Sequence, residues 1–215
     1  MRSKEPVTAI VLAAGRSQRM GAPNKLVLDV GGQPVVARVV SAFLTADIAR
    51  VIVVTGADRE AVIQALPDAA PIRFTHNPNY VRGMGASIHC GVSALDATSS
   101  GVAICPGDLP LLTADTIRQV RRAFYERATP RIVRPRVDGQ PGHPVFFGRS
   151  FRGDLMQLQS DEGARAILRR HRRAVTYVDV EPPGAVRDVD TPEALRVVRA
   201  QWADTFPGSE RGGGA

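Results

Sequence analysis

The sequence predicts a single α/β domain, a Rossmann-like three-layer sandwich in which a mostly parallel sheet has helices on both faces. Two observations predict this class. Short apolar runs alternate with segments whose apolar residues recur at helical spacing, which is the pattern of strand–helix–strand units. Stretches rich in glycine, proline and charge follow directly after apolar runs, as do the loops at the ligand-binding edge of a parallel sheet. The 215 residues contain no internal linker, so we expect one domain over residues 1–205 and a disordered tail at 206–215.

The strands are predicted from near-continuous apolar runs, because strands inside a parallel sheet are buried on both faces. The clearest is the first, Val7 to Ala13, which contains only one polar residue, Thr8. The other predicted strands are Val51 to Val54, Ile72 to Thr75, Gly101 to Cys105, Ile132 to Val137 and Val175 to Val180.

The helices are predicted from apolar residues spaced three and four apart. Pro34 suits the first turn of a helix that ends at Thr45. Thr191-Pro192-Glu193 opens the final helix with a capping Thr, a Pro and an acidic residue, and the basic run 169–173 is typical of a helix C-terminus. The remaining predicted helices are Arg59 to Leu66, Ser87 to Ala97, Thr113 to Tyr125 and Asp161 to Arg170.

Composition and charge exclude several classes of protein. The net charge of +7 comes from 28 basic and 21 acidic residues. All basic residues except Lys4 and Lys25 are arginines spread along the chain, so we expect no nucleic-acid partner. No apolar run reaches the roughly 18 residues of a membrane span, and no secretory signal is evident. Cys90 and Cys105 are too few for a disulfide framework, and we therefore expect a cytoplasmic protein without a membrane partner.

The loop between the first strand and Lys25 has the composition of a phosphate-binding loop. Gly15 and Gly21 allow the backbone to approach a ligand closely, and Arg16, Arg19 and Lys25 add positive charge. A compact ammonium in a chain that otherwise uses arginine suits contact with a phosphate in a tight space. The spacing fits neither the P-loop nor the dinucleotide-binding glycine motif. A plain strand-end loop with solvated arginines is the alternative interpretation.

Three aspartates are candidate ligands for Mg²⁺, which binds through one or two carboxylates and retains water. Asp108 follows the fourth predicted strand through Pro106-Gly107, at a strand end. Asp188 and Asp190 are two residues apart, so on an extended segment both face the same side. A turn role for Asp108 and a helix-dipole role for Asp190 are the alternatives.

Other polar residues near predicted loops are candidates for ligand contact. Asn77 and Ser87 could form hydrogen bonds with a ligand, although such residues are usually caps or turns. Gly83-Met84-Gly85 marks a mobile loop near the helix that carries Ser87. His143, between Gly142 and Pro144, could contact a ring or a phosphate, and a structural role is the alternative.

The motifs, taken in order, resemble those of a known family. Leu12-Ala13-Ala14-Gly15-x-Ser17-x-Arg19-Met20-Gly21-x-x-x-Lys25 resembles the signature of nucleotidyltransferases with a GT-A-like fold. Further segments narrow the resemblance to the molybdenum cofactor cytidylyltransferases and extend it over most of the chain. These segments are Asn77 with Gly83-Met84-Gly85-x-Ser87-Ile88, Pro106-Gly107-Asp108-Leu109-Pro110, Gly142-His143-Pro144-Val145-Phe146-Phe147, Asp161-Glu162-Gly163-Ala164-Arg165 and Asp188-Val189-Asp190-Thr191-Pro192-Glu193.

The resemblance implies roles for the matching residues, and the acceptor is expected to contact His143 and Gly83. The residues implied to act in catalysis are Lys25, Arg19 and Asp108. Asp108 is implied to hold Mg²⁺ or Mn²⁺, with Asp188 or Asp190 completing the metal site. Those implied to bind the nucleotide are Leu12, Ala13, Ala14, Gly15, Arg19, Lys25, Asn77 and Ser87.

The implied activity is Mg²⁺-dependent transfer of CMP from CTP to a molybdopterin-type molybdenum cofactor, which yields the cytosine dinucleotide form and pyrophosphate. Ala14 matches the form associated with CTP, whereas guanylyl-transferring relatives more often have a second Gly there. The alternatives are a guanylyl- or other nucleotidyltransferase acting on the same pterin or on a sugar phosphate, and a carrier or insertion chaperone for the cofactor. The expected partners are CTP, the molybdopterin cofactor and an apo-molybdoenzyme of the hydroxylase type.

Overall fold

The strands and helices of the chain follow one another as the sequence pattern predicts. The computed structural model describes residues 6–17, 20, 24–48, 50–67, 71–127, 131–159, 161–181 and 183–205. The strands are β1 (Val7–Ala13), β2 (Asp29–Val30), β3 (Gln33–Pro34), β4 (Val51–Thr55), β5 (Ile72–His76), β6 (Gly101–Pro106), β7 (Ile132–Val137), β8 (Gln140–Pro141), β9 (Val145–Gly148) and β10 (Val175–Asp179). The helices are α1 (Val35–Thr45), α2 (Arg59–Gln64), α3 (Met84–Ser93), α4 (Ala114–Glu126), α5 (Arg152–Met156), α6 (Arg165–Arg170) and α7 (Pro192–Thr205). The predicted tail, 206–215, lies outside the described residues.

The main sheet has the strand order β10-β7-β9-β6-β1-β4-β5, with β8 paired to β7, while β2 and β3 form a separate hairpin. β1 lies between β4 and β6 and is parallel to both. β9 is antiparallel to β6 and to β7, so the sheet is mostly parallel, as predicted. The C-terminal ends of β1, β6, β7 and β10 therefore share one edge with the N-terminal end of β9.

Two apolar layers hold the helices on opposite faces of the sheet. One layer packs Phe43 of α1 and Phe124 of α4 against Phe146. The other packs Ile88 of α3 and Ile167 of α6 against Ile10 and neighbouring strand residues. Alternate residues of β1 and β9 enter different layers, because successive side chains on a strand point to opposite faces. This arrangement confirms the three-layer sandwich.

The strand predictions agree with the structure, apart from short and reversed strands. The bounds of β1 and β7 are as predicted, and those of the other predicted strands differ by one residue. β9, a short apolar run, was not predicted as a strand, and neither were the two-residue strands. The five-residue helix α5 was also missed, because a segment this short shows little helical periodicity.

Three helix predictions are wrong at their ends, and the helix predicted over Arg59 to Leu66 ends two residues earlier, at Gln64. The helix predicted over Ser87 to Ala97 spans Met84–Ser93, beginning directly after Gly83, whose φ is +100°. The helix predicted from Asp161 begins only at Arg165, because Gly163 has a φ of +58° that interrupts a right-handed helix. Pro34 belongs to β3 and lies one residue before α1. Thr191 does cap the last helix, since the backbone N–H of Ala194 donates to its hydroxyl at 3.1 Å. Among the described residues, no helix combines the length and the apolar character needed to cross a membrane.

Candidate active site

A cavity of about 550 Å³ opens at the sheet edge where β1, β6 and β10 end. Its floor is formed by the segments that follow these strands, and its walls by the loop before α3 and the turn between β8 and β9. In open α/β sheets this edge is where ligands bind. The site predicted from the sequence therefore lies at the expected place.

Hydrogen bonds hold the backbone of Lys25 in place at the end of the loop that follows β1. The Asn24 carboxamide oxygen accepts hydrogen bonds from the backbone N–H of Leu26 at 3.0 Å and from the Ser17 hydroxyl at 3.0 Å. The Ser17 hydroxyl in turn accepts the backbone N–H of Lys25 at 3.2 Å, and the Asn24 amide donates to Asp58 at 2.9 Å. These bonds fix the backbone of Lys25 and so define where its side chain begins.

The ammonium of Lys25 joins two carboxylates from distant parts of the chain. Its Nζ lies 2.5 Å from Asp108 Oδ2 and 2.6 Å from Asp190 Oδ1. Burial acts to lower the pKa of Lys25, but the attraction of the two aspartates and their hydrogen bonds outweigh it, and the pKa is raised above its ordinary value. Lys25 therefore stays protonated at neutral pH.

Asp108 is the central residue of this cluster. It follows β6 in a turn in which the Gly107 N–H donates to the Leu12 carbonyl at 2.9 Å, while the Asp108 carbonyl accepts the Val189 N–H at 2.9 Å. These two bonds tie the end of β1 to the segments that follow β6 and β10. The Oδ1 atom of Asp108 is buried and has no hydrogen-bond partner in the described part of the structure. A buried oxygen of this kind is available to a ligand that the protein alone does not supply.

Asp188 and Asp190 both line the cavity, as their alternation predicts. Partial burial raises the pKa of Asp188, and the nearby Asp108 and Asp190 carboxylates raise it further, while Lys25 opposes them. The three aspartates are therefore close enough to repel one another. Their repulsion would be relieved by a cation.

The charges along the cavity wall favour a divalent cation. The described lining residues include four carboxylates but only two cationic side chains, Lys25 and Arg165, and the carboxylates are those of Asp108, Asp161, Asp188 and Asp190. Within the described ranges, no three His, Cys, Asp or Glu side chains form a ready-made metal cage. Mg²⁺ needs no such cage, because it binds through one or two carboxylates together with substrate phosphates and water. The unpartnered Asp108 oxygen and the surplus of carboxylates fit such an ion, with Asp108 and Asp190 or Asp188 as its ligands.

The predicted nucleotide-binding residues fall into three groups. Leu12, Ala14, Gly15, Lys25 and Ser87 line the cavity. Ala13 is 1% exposed and packs in the core below it, so its side chain cannot serve as a contact.

Asn77 is also buried, and its amide donates to the Ser87 hydroxyl at 3.0 Å. Asn77 lines a neighbouring cavity, whereas Ser87, which it positions, lines this one. The contact of Asn77 with nucleotide stays a prediction. Arg19, predicted both to bind the nucleotide and to act in catalysis, lies outside the described residues.

The two residues predicted to contact the acceptor, Gly83 and His143, also line the cavity. Burial and the positive charge of Arg134 lower the pKa of His143 to about 4, so its ring is neutral at neutral pH. Its Nδ1 atom is buried without a hydrogen-bond partner among the described residues. His143 thus offers a neutral polar edge, whereas a phosphate contact would favour a charged ring.

Sequence reasoning assigned no role to two charged residues of the wall, Asp161 and Arg165. Both belong to the segment Asp161-Glu162-Gly163-Ala164-Arg165, which contributes to the family resemblance. The available sequence signal for these residues was a charged motif around a glycine that interrupts helical periodicity. It was overlooked because the whole segment was predicted to be helical.

The fold and this site define a nucleotidyltransferase-like protein, and comparison with known proteins identifies the family. Residues 9–175 match the family described as MobA-like NTP transferase domain, and the chain belongs to that family.

Proteins similar to this chain carry names that indicate different activities. The chain is 28% identical to nicotine blue oxidoreductase of Paenarthrobacter nicotinovorans, over 88% of this chain and 94% of that protein. It is 24% identical to molybdenum cofactor cytidylyltransferase of Escherichia coli strain K12, over 92% and 98% of the two chains. It is 32% identical to bifunctional protein GlmU of Sorangium cellulosum over 81% of this chain, but spans only 37% of that longer protein.

Solved structures share the fold along nearly the whole chain. Rv0371c of Mycobacterium tuberculosis has a TM-score of 0.80 and 25% identity, covering 92% of this chain and 99% of its own. A nucleotidyl transferase of Methanothermobacter thermautotroptrophicus has a TM-score of 0.82 at 20% identity, covering 94% and 100%. Rv0371c in complex with manganese has a TM-score of 0.75 at 23% identity, covering 91% and 98%. The predicted GT-A-like nucleotidyltransferase fold is confirmed.

Proposed function

We propose that this protein transfers CMP from CTP to a molybdopterin-type molybdenum cofactor, in the presence of Mg²⁺ or Mn²⁺. An oxygen of the acceptor phosphate attacks the α-phosphorus of CTP, the bond from that phosphorus to the bridging oxygen breaks, and pyrophosphate leaves with the electron pair. The products are the cytosine dinucleotide form of the cofactor and pyrophosphate. This reaction brings two anions together, so the protein must chiefly neutralise charge and align the reactants.

The observation that carries the proposal is the position of Lys25 between Asp108 and Asp190. The ammonium is fixed at the end of the loop expected to hold the triphosphate, where it would neutralise charge on the α-phosphate. A divalent ion held by Asp108 and a second aspartate would supply the further positive charge that two anionic reactants require. The solved relative with manganese supports such an ion.

The choice of CTP and of the acceptor has its own support. Ala14 lines the cavity at the position where a second Gly is expected in guanylyl-transferring relatives. Gly56 leaves room for the Ala14 side chain, because a Cβ at position 56 would lie 2.8 Å from the Ala14 Cβ. The molybdenum cofactor cytidylyltransferase of Escherichia coli aligns with this chain almost from end to end, whereas the GlmU relative extends well beyond it.

The test incubates the purified protein with molybdenum-loaded molybdopterin, Mg²⁺ and each of CTP, GTP, ATP and UTP. Pyrophosphate release and the mass of the dinucleotide product are measured. We expect CTP to be used best, and Asp108→Asn to lower turnover by roughly 10²-fold or more. Asp115→Asn is the matched control, because Asp115 is exposed in the first turn of α4 and bonds only Gln119 among described side chains.

The other outcomes are equally informative. Preference for GTP would replace cytidylyl by guanylyl transfer, and turnover only with a sugar phosphate would replace the acceptor. Failure to release pyrophosphate with any nucleotide and acceptor contradicts the proposal and makes the oxidoreductase relative the better guide.

A further inference from the structure

Arg165 is a cation on the cavity wall that the charge cluster around Lys25 does not use. It is exposed, opens α6 and lines the same cavity. No ion pair within the described residues involves it. The next two arginines of the same helix differ, because Arg169 lies 2.7 Å from Glu162 and Arg170 lies 3.8 Å from Asp154. The arginine that faces the cavity is therefore the one left without a carboxylate.

The position of Arg165 is fixed by two close approaches between its segment and the loop before α3. A Cβ at Gly83 would lie 2.7 Å from the Cα of Asp161. A Cβ at Gly163 would lie 2.9 Å from the sulfur of Met84. Each close approach leaves no room for a Cβ, and both glycines also have a positive φ, which a side chain would disfavour. Residues 161–163 are thus clasped against the loop before α3, and Arg165 lies two residues beyond this clasp.

A second guanidinium lies in the neighbourhood of Arg165. Arg134 of β7 donates from Nε and Nη2 to the Gly142 carbonyl at 3.1 and 2.9 Å, which holds the turn that carries His143. Burial lowers the pKa of Arg134, and the positive charge of Arg165 lowers it further. Neither guanidinium has an ion-pair partner among the described residues. Arg165 therefore has a second guanidinium near it and no carboxylate partner, whereas Lys25 is paired with two carboxylates.

We propose that Arg165 anchors a second negatively charged group of the acceptor, remote from the phosphate that reacts beside Lys25. The inference rests on the proposed function and adds the chemistry of the acceptor's far end. In a molybdopterin-type acceptor that end carries molybdenum, whose oxo and sulfur ligands bear negative charge. Arg134 acts as a positioning residue, because its donors hold the Gly142 turn. His143, which is neutral, supplies a polar edge without competing for the anion.

The test compares Arg165→Gln and Arg165→Lys with the wild-type protein. Binding of molybdenum-loaded molybdopterin is measured directly by titration calorimetry, and KM for it is measured at saturating CTP. We expect Arg165→Gln to raise both the Kd and the KM for the cofactor by roughly 10- to 100-fold, as for the loss of a charge-assisted hydrogen bond. Arg165→Lys should retain part of the affinity. Arg169→Gln is the matched control one turn later in α6, and it should change neither value.

Two further arms identify the group that Arg165 contacts. Metal-free molybdopterin, which keeps the phosphate, should bind wild type and Arg165→Gln with nearly equal affinity. The Kd for CTP with Mg²⁺ should change less than twofold. Weaker CTP binding in Arg165→Gln would assign the guanidinium to the triphosphate and overturn the inference, as would an unchanged affinity for the loaded cofactor or an equal loss with the metal-free form. If binding weakens as expected but no CMP is transferred by the wild type, the inference stands and the proposed function fails.

Discussion

Replacing Lys25 with Met is expected to destabilise the free protein by about 2 kcal/mol. Removing one partner of a fully buried ion pair costs roughly 3–5 kcal/mol, because the other charge is left uncompensated. The side chains of Lys25, Asp108 and Asp190 are 14%, 16% and 34% exposed, so water screens part of the repulsion and about 2 kcal/mol remains. For a domain of this size the midpoint of thermal unfolding should fall by about 4–8 °C.

The assay is a double-mutant cycle measured by urea denaturation at pH 7 without divalent cations. The variants are Lys25→Met, Asp190→Asn and the combination of the two. Because Asp190 repels Asp108 and Asp188 once the ammonium is gone, Asp190→Asn should cost less in the Lys25→Met background than in the wild type. We expect a coupling free energy of about 1–2 kcal/mol.

The control is Arg169→Met, which removes an ion pair whose side chains are 63% and 55% exposed, and should change stability by no more than about 0.5 kcal/mol. If the effects of Lys25→Met and Asp190→Asn are instead additive, the ammonium does not hold the carboxylates together, and the charge argument for the whole site is refuted.

Four further predictions concern the cavity wall. Asp188→Asn should stabilise the free protein at pH 7, because the raised pKa of Asp188 makes its ionised form unfavourable in the fold; the gain in thermal melts should shrink as the pH falls toward 4. His143 has a folded pKa of about 4 against an ordinary 6.5, so the unfolded chain takes up this proton at a higher pH than the folded protein. The free energy of unfolding of the wild type should therefore drop by roughly 2–3 kcal/mol between pH 6.5 and 4. His143→Gln should remove that loss from urea curves. Gly15→Ala should leave the melting midpoint nearly unchanged, since no atom lies within 4 Å of the added Cβ, yet weaken CTP binding in calorimetry if the loop holds the triphosphate. Gly83→Ala should destabilise more than Gly139→Ala, because both have positive φ but only Gly83 faces Asp161; equal losses in urea denaturation would mean that the clasp is not tight.

The parallel part of the fold could be predicted because its strands are buried on both faces and appear as unbroken apolar runs. β9 could not, because Val145-Phe146-Phe147 is as short as many core segments and nothing local shows its direction. The start of α6 was misplaced because apolar spacing cannot register the positive φ of Gly163. Backbone conformation at Gly163 decided the helix start, and together with Gly83 it determines where Arg165 lies.

The candidate site was predicted where chemistry and topology agree. Lys25, Asp108 and Asp190 are far apart in sequence, but each follows a strand that ends at the same edge, so their meeting follows from the parallel sheet. The position of Ala13 in the core was missed because the family motif does not distinguish a side chain that faces the ligand from one that supports the loop. The hydrogen bond from Asn77 to Ser87 could not be predicted, because it forms only through tertiary packing.

The reversal of β9 brings the turn between β8 and β9 to the sheet edge where β1 and β6 end. The cavity wall is therefore assembled from segments that lie far apart along the chain. Substitutions in the turn at 140–143 can change the chemistry of the wall without altering the loop that follows β1. A shared architecture can in this way serve enzymes that differ mainly in what they modify.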